Sequence, residues 1–196
     1  MFIQEFHGKV RDPELWKRQI EEWNERLRPS APGFLGSTSG LTPDGTMIAV
    51  VRFESEESAR ANSERPEQRE WYERTKAAFD GELTFHDCSD VDVYRMGGSD
   101  DAEFVQVMEG HSSDPAAMRA MEQDFEAELG RMRPDILGSI TGWEPDGSFV
   151  SVAYFTSEAE ARANEKGMAT DPRFQEYMST LDRDMTFYDL REPMFA

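Results

Sequence analysis

The sequence holds one cysteine, Cys88, and three histidines, His7, His86 and His111, in 196 residues. A single cysteine excludes an internal disulfide and any zinc centre built from several thiolates. No apolar run approaches the roughly 20 residues that a membrane helix needs. The opening stretch MFIQEFHGKV lacks the basic region and apolar segment of a secretory signal. A reducing cytoplasm is the expected setting. Basic residues are scarce as well: 21 Lys and Arg stand against 40 Asp and Glu, a net charge of −19. Charge of that sign repels phosphate backbones and anionic surfaces, so neither nucleic acid nor a membrane is an expected partner. HExxH, GxSxG, P-loop and GxGxxG patterns are all missing. No ligand spacing points to a metal, and no cofactor is expected.

What the chain does have is a sentence written twice. FLGSTSGLTPDGTMIAVVRFESEESARAN, from Phe34, returns as ILGSITGWEPDGSFVSVAYFTSEAEARAN, from Ile136, with 15 of 29 positions identical. One shift of 102 residues aligns most of the chain without a gap: Phe2, Gln4, Asp12 and Pro13 fall on Phe104, Gln106, Asp114 and Pro115, and LTFHD falls on MTFYD. Between the copies lies the polar linker GGSDD. The chain is therefore read as a tandem duplication, residues 1–98 and 103–196. Two copies are too few for a solenoid, so a closed pair is expected.

Each copy has the same local grammar. FIQEFHGKV alternates as a strand does. Asp-Pro then opens a helix, with Asp as N-cap and Pro in the first turn. Leu15, Trp16, Ile20, Trp23 and Leu27 follow at helical spacing, as do Met118, Met121, Phe125 and Leu129 in copy two. A glycine-rich strand, a Pro-Asp-Gly hairpin turn and a third strand come next. Ser55 caps a second helix, which Pro66 is placed to interrupt, and a fourth strand contains LTFHD. The order βαββαβ is that of a ferredoxin-like unit. Two helices cover one face of such a sheet, and the other face also needs cover. The expected fold is α+β: two tandem ferredoxin-like βαββαβ units forming, within one chain, the barrel that separate subunits otherwise make. Such a chain is a pseudo-dimer, and further oligomerisation stays open.

FESEESARAN and FTSEAEARAN, each after a strand in a βαββαβ unit, resemble the antibiotic biosynthesis monooxygenase-like family of dimeric α+β barrels. That resemblance implies a ligand cavity between the sheet and the second helix. It also implies chemistry ranging from cofactor-free oxygenation of aromatic polyketides to heme degradation, isomerisation or no catalysis. The heme-degrading members use Asn, Trp and His where this chain has Gln4 and Gln106, Asn62 and Asn164, and Tyr72 and Tyr177. None of those residue types is kept, so heme is not expected.

The candidate ligand-binding residues are Gln4, Asn62, Trp71, Tyr72 and His86 in copy one, and Gln106, Asn164 and Tyr177 in copy two. The glutamines and asparagines recur in both copies, and each needs either an internal partner or a ligand. The aromatic residues suit core packing or a flat aromatic ligand. His86 suits a general base or a surface position. The copies differ at Trp71/Arg173, His86/Tyr188 and His7/Glu109, so unequal cavities are expected, with copy one slightly favoured. Three functions remain in play: a cofactor-independent monooxygenase of an aromatic or polyketide-type compound, a non-catalytic ligand-binding or stress-associated barrel, and an interaction module with a filled core. No residue is assigned a catalytic role at this point.

Overall fold

The computed structural model describes residues 1–95, 97–168, 170–182 and 185–196, leaving aside the side chains of Phe125 and Ala127. Phe125, expected on the buried face of its helix, thus has its side chain outside the described residues. In chain order the elements of copy one are β1 (Phe2–Lys9), α1 (Pro13–Glu22), β2 (Phe34–Leu41), β3 (Thr46–Phe53), α2 (Glu56–Glu64), α3 (Pro66–Lys76) and β4 (Thr84–Cys88). Then β5 (Asp90–Arg95) leads into copy two: β6 (Phe104–His111), α4 (Pro115–Met132), β7 (Ile136–Trp143), β8 (Ser148–Phe155), α5 (Glu158–Met168), α6 (Pro172–Met178), β9 (Thr186–Leu190) and β10 (Met194–Phe195). Among the described residues no helix is long and apolar enough to cross a membrane.

The local signals act as read. Asp12 accepts from the Leu15 amide at 2.9 Å and Asp114 from the Ala117 amide at 3.0 Å, capping α1 and α4. Ser55 accepts from the Ser58 amide at 3.2 Å. Pro66 separates α2 from α3, because its ring denies the helix a backbone donor. Gly45 and Gly147 take φ of 81° and 92° in the two hairpin turns.

The ferredoxin-like pattern is present twice, with an addition. The sheets are five-stranded, in the orders β10-β2-β3-β1-β4 and β5-β7-β8-β6-β9. The fifth strand of each sheet comes from the tail of the other repeat. Only Ser89 separates β4 from β5, too short a link for a tight hairpin, so the chain cannot fold back beside β4. At the far end, β10 pairs with β2 (Met194 beside Ser39), and the Ala196 carbonyl accepts from the Ser37 amide at 2.8 Å. The added strands cover edges that would otherwise present unpaired backbone. The compact units are accordingly Met1–Asp90 with Met194–Ala196, and Val91–Pro193. The repeat boundaries 1–98 and 103–196 mark the duplication; the strand exchange moves the physical boundary.

In each unit alternate strand residues face the helices. Phe2, Phe53 and Ala59 pack together in the first unit, and their equivalents Phe104, Phe155 and Ala161 do so in the second. Trp16 anchors the other end of the first core with Met47 and Phe79; Met118 with Trp143 and Phe149 anchors the second. The opposite sheet face is buried too: Ile3, Ile48, Val105 and Val107 have no exposed surface.

Candidate functional site

The second unit encloses a cavity of about 460 Å³ between its sheet and helices α4 and α6. The sheet contributes Met108, Thr141, Ser151 and Ala153, and the helices contribute Met121, Leu129, Phe174 and Tyr177. This is the size of a small-molecule site, and its walls are mostly apolar.

Charged residues also reach this lining, Arg95, Asp124, Glu126, Arg173 and Glu176 among them, and one further acid is set apart by its partners. Glu122, on α4, is largely withdrawn from water and is gripped by two phenols. Tyr94, on β5, donates to Oε2 at 2.5 Å, and Tyr177, on α6, donates to Oε1 at 2.9 Å. Burial pushes the Glu122 carboxyl above its ordinary value of 4.5, and the two phenolic hydrogen bonds offset this only in part. Burial likewise pushes both tyrosine hydroxyls upward, and the neighbouring carboxylate adds to the effect, so they stay protonated donors. Beside them, Asp92 accepts from Arg119 Nε at 2.6 Å and from Trp143 Nε1 at 2.8 Å. The Arg119 guanidinium lies 5.1 Å from the Trp143 ring centre. Asp92 contributes to raising the Glu122 carboxyl, and Arg119 opposes it.

The repeat explains why this unit is hollow. In the first unit the same region is packed with aromatic rings. Trp23 and Trp71 have ring centres 6.4 Å apart, Trp23 meets Phe34 at 5.0 Å, and the remaining cavity is about 100 Å³. Moved by 102 residues, Trp71 becomes Arg173, Phe34 becomes Ile136 and Ile20 becomes Glu122. Arg173 pairs with Asp171 at 3.0 Å and with Glu128, groups that are partly solvated. A guanidinium seeks such partners instead of filling an apolar space as an indole does. At the position equivalent to Ala196, the second unit has Tyr94. The hollow and its acid thus arise together.

The residues singled out from the sequence are scattered. Gln4, Asn62 and Trp71 do line one cavity, the small one of the first unit. Gln4 donates to its cross-strand neighbour Asp87 at 2.8 Å, and Asn62 accepts from Arg65 at 2.9 Å. Trp71 donates to the Gln19 carbonyl at 2.8 Å. Tyr72 is not part of that lining; Lys76 sits 5.4 Å from its ring centre. His86 is on the opposite face of the sheet, because it pairs with Glu5 and not with the helix-facing Gln4. In the second unit Gln106 donates to Asp189 at 2.9 Å and Asn164 to Asp135 at 2.7 Å, and neither lines the large cavity. Only Tyr177 of the three reaches it. The expected preference for copy one runs against the cavity volumes.

Sequence reasoning passed over Glu122 and Tyr94. A signal existed: Glu122 lies four residues after Met118 and three before Phe125, an acid inside an apolar stripe. Tyr94 carried no such signal, since its unit is decided by the strand exchange.

No protein-family profile and no curated protein sequence matches the chain. Solved structures do. A proposed monooxygenase from Lactobacillus acidophilus NCFM superposes with a TM-score of 0.72 at 10% identity, covering 100% of this chain and 98% of its own. A second proposed monooxygenase, from Fusobacterium nucleatum subsp. nucleatum ATCC 25586, gives 0.72 at 10% identity over 96% and 90%. An anthrone oxidase-like protein gives 0.69 at 9% identity over 100% and 93%. At such identities the likeness is one of fold: this chain and those proteins share the duplicated α+β architecture from end to end, and the resemblance read from the sequence holds at that level.

Proposed function

We propose that the second unit is a cofactor-independent monooxygenase site for an aromatic, polyketide-type compound, with Glu122 as the general base. The observation that carries this reading is a largely buried carboxyl, held by two tyrosine hydroxyls, in a mostly apolar cavity large enough for a fused-ring substrate. The fold shared with an anthrone oxidase-like protein supports the substrate class.

An anthrone carries a benzylic carbon whose proton is acidic, because the electron pair it leaves spreads over the ring carbonyl. Glu122 ionised in an apolar site is a stronger base than a glutamate in water. Each carboxylate oxygen keeps a lone pair beyond the one its tyrosine occupies, so a proton can be accepted without breaking that grip. The resulting carbanion supplies the electrons that reduce dioxygen. Oxygen adds at the same carbon to give a hydroperoxide, and loss of water leaves a carbonyl there. One oxygen atom of O₂ enters the product and the other leaves as water; the substrate is oxidised and dioxygen reduced. The apolar walls exclude water from the carbanion. Tyr94 and Tyr177 hold the carboxylate in place, their hydroxyl protons committed to its two oxygens.

The test is oxygen uptake with 1,8-dihydroxyanthrone, with no cofactor added and the uncatalysed rate subtracted. Turnover that falls at least about 100-fold in Glu122→Gln, the range that a positioned base contributes, is the expected result. Tight binding of the anthrone with no turnover in the unsubstituted protein would favour the non-catalytic ligand-binding reading.

A further inference from the structure

The helix-free face of the first sheet gathers a second constellation, outside both cavities. Glu5 and His7 are two residues apart on β1, so their side chains leave the same face. His86 on β4 lies directly across from Glu5 in the antiparallel register, and diagonally from His7. Glu5 has no exposed surface. His7 Nδ1 is 3.2 Å from Glu5 Oε1, and the rings of His7 and His86 stack with centres 6.1 Å apart and planes within 23°. The ligating atoms of these three residues all lie within 4.8 Å of one another.

We propose that Glu5, His7 and His86 form a binding site for a divalent first-row transition-metal ion of the Zn²⁺ class. Two imidazoles and one carboxylate are a donor set that such ions prefer over Mg²⁺ or Ca²⁺, which seek oxygen alone. Bonds of about 2.0–2.2 Å in a tetrahedral site hold donor atoms roughly 3.4 Å apart, an approach that modest side-chain rotation supplies. The ring of His7 keeps 18% of its surface exposed, which gives an ion a way in.

The repeat supplies an internal comparison. The equivalents of Glu5, His7 and His86 in copy two are Val107, Glu109 and Tyr188, and there the Tyr188 hydroxyl donates to Glu109 at 3.3 Å. The second copy therefore keeps an acid and a hydroxyl at these positions but neither histidine. The sequence hides this site because one ligand lies 79 residues along the chain from the nearest other.

The experiment is calorimetric titration of the chelator-treated full chain with ZnCl₂, and with CoCl₂ followed by visible absorption. One ion per chain is expected, with the d–d bands of nitrogen- and oxygen-ligated Co²⁺ and a thermal midpoint that rises with metal concentration. His86→Tyr, the residue that copy two uses there, and His7→Gln should each weaken binding more than tenfold, since loss of even outer ligand contacts costs that much. His111→Asn, at a histidine bonded to Asp182, should leave affinity unchanged. Absence of binding to the unsubstituted chain at millimolar metal overturns the proposal without reference to any variant's folding. Equal affinity in the folded His7 and His86 variants overturns it as well.

Discussion

The Tyr177 hydroxyl lies 2.9 Å from Glu122 Oε1, across 55 residues of chain, and joins helix α6 to helix α4 at the polar end of an apolar cavity. Burial has raised the carboxyl, so its charged form is destabilised in the fold. A raised group favours the fold most at pH below its unfolded value, and that contribution is lost as pH rises through the folded value. Above about pH 4.5, then, the unsubstituted chain loses stability that Glu122→Gln retains. The difference in thermal midpoint between variant and unsubstituted protein should shift in the variant's favour as pH increases across that window. Activity should run the other way: kcat/KM rises with pH as the base ionises, with its midpoint above the ordinary glutamate range. A flat midpoint difference from pH 4 to 8 would contradict the burial of this charge.

Arg173→Trp restores in copy two the indole that fills copy one at Trp71. It removes ion pairs of partly exposed groups, which are worth little, and it places apolar volume in the cavity. Anthrone binding should fall by at least tenfold while the thermal midpoint holds or rises. Conversely, Trp71→Ala should cost the protein about 3–5 kcal/mol in denaturant unfolding, the range for emptying a buried indole site.

Gly147→Ala should destabilise more than Gly45→Ala, although both glycines have positive φ in the same turn. A methyl group on Gly45 meets nothing within 4 Å, whereas one on Gly147 would sit 2.3 Å from the Ser112 carbonyl oxygen. Both changes carry the backbone strain of a left-handed position, and Gly147 adds a steric clash with backbone. Thermal midpoints of the two variants, measured together, check the order.

Asn164→Leu removes a donor from Asp135, a buried acid also paired to Arg133 at 2.8 Å. A loss of about 1–3 kcal/mol of stability is expected, the cost of leaving a buried polar atom short of a partner. Because Asn164 does not line the large cavity, anthrone affinity in the folded variant should stay within twofold. A selective loss of affinity with stability intact would return Asn164 to the ligand site.

The sequence alone determined the duplication, the element order of each unit, the Asp-Pro and Ser55 caps, the break at Pro66 and the two glycine turns. These rest on forces that act over a few residues: a side chain reaching an amide three positions on, a ring that fixes φ, an alternation that sorts faces. Only the tertiary structure decided which sheet receives β5 and β10, because strand pairing at an edge depends on which unpaired backbone is within reach. It also settled the repeated glutamines. Gln4 meets Asp87 and Gln106 meets Asp189, partners 83 residues away that no local pattern reveals. The candidate site was decided at the same level. Glu122 stands in the chain as an acid inside an apolar stripe, but its partners Tyr94 and Tyr177 arrive from two other elements. The cavity exists because Trp71 has no counterpart at Arg173. A void is a property of what surrounds it, and a sequence records only what is there.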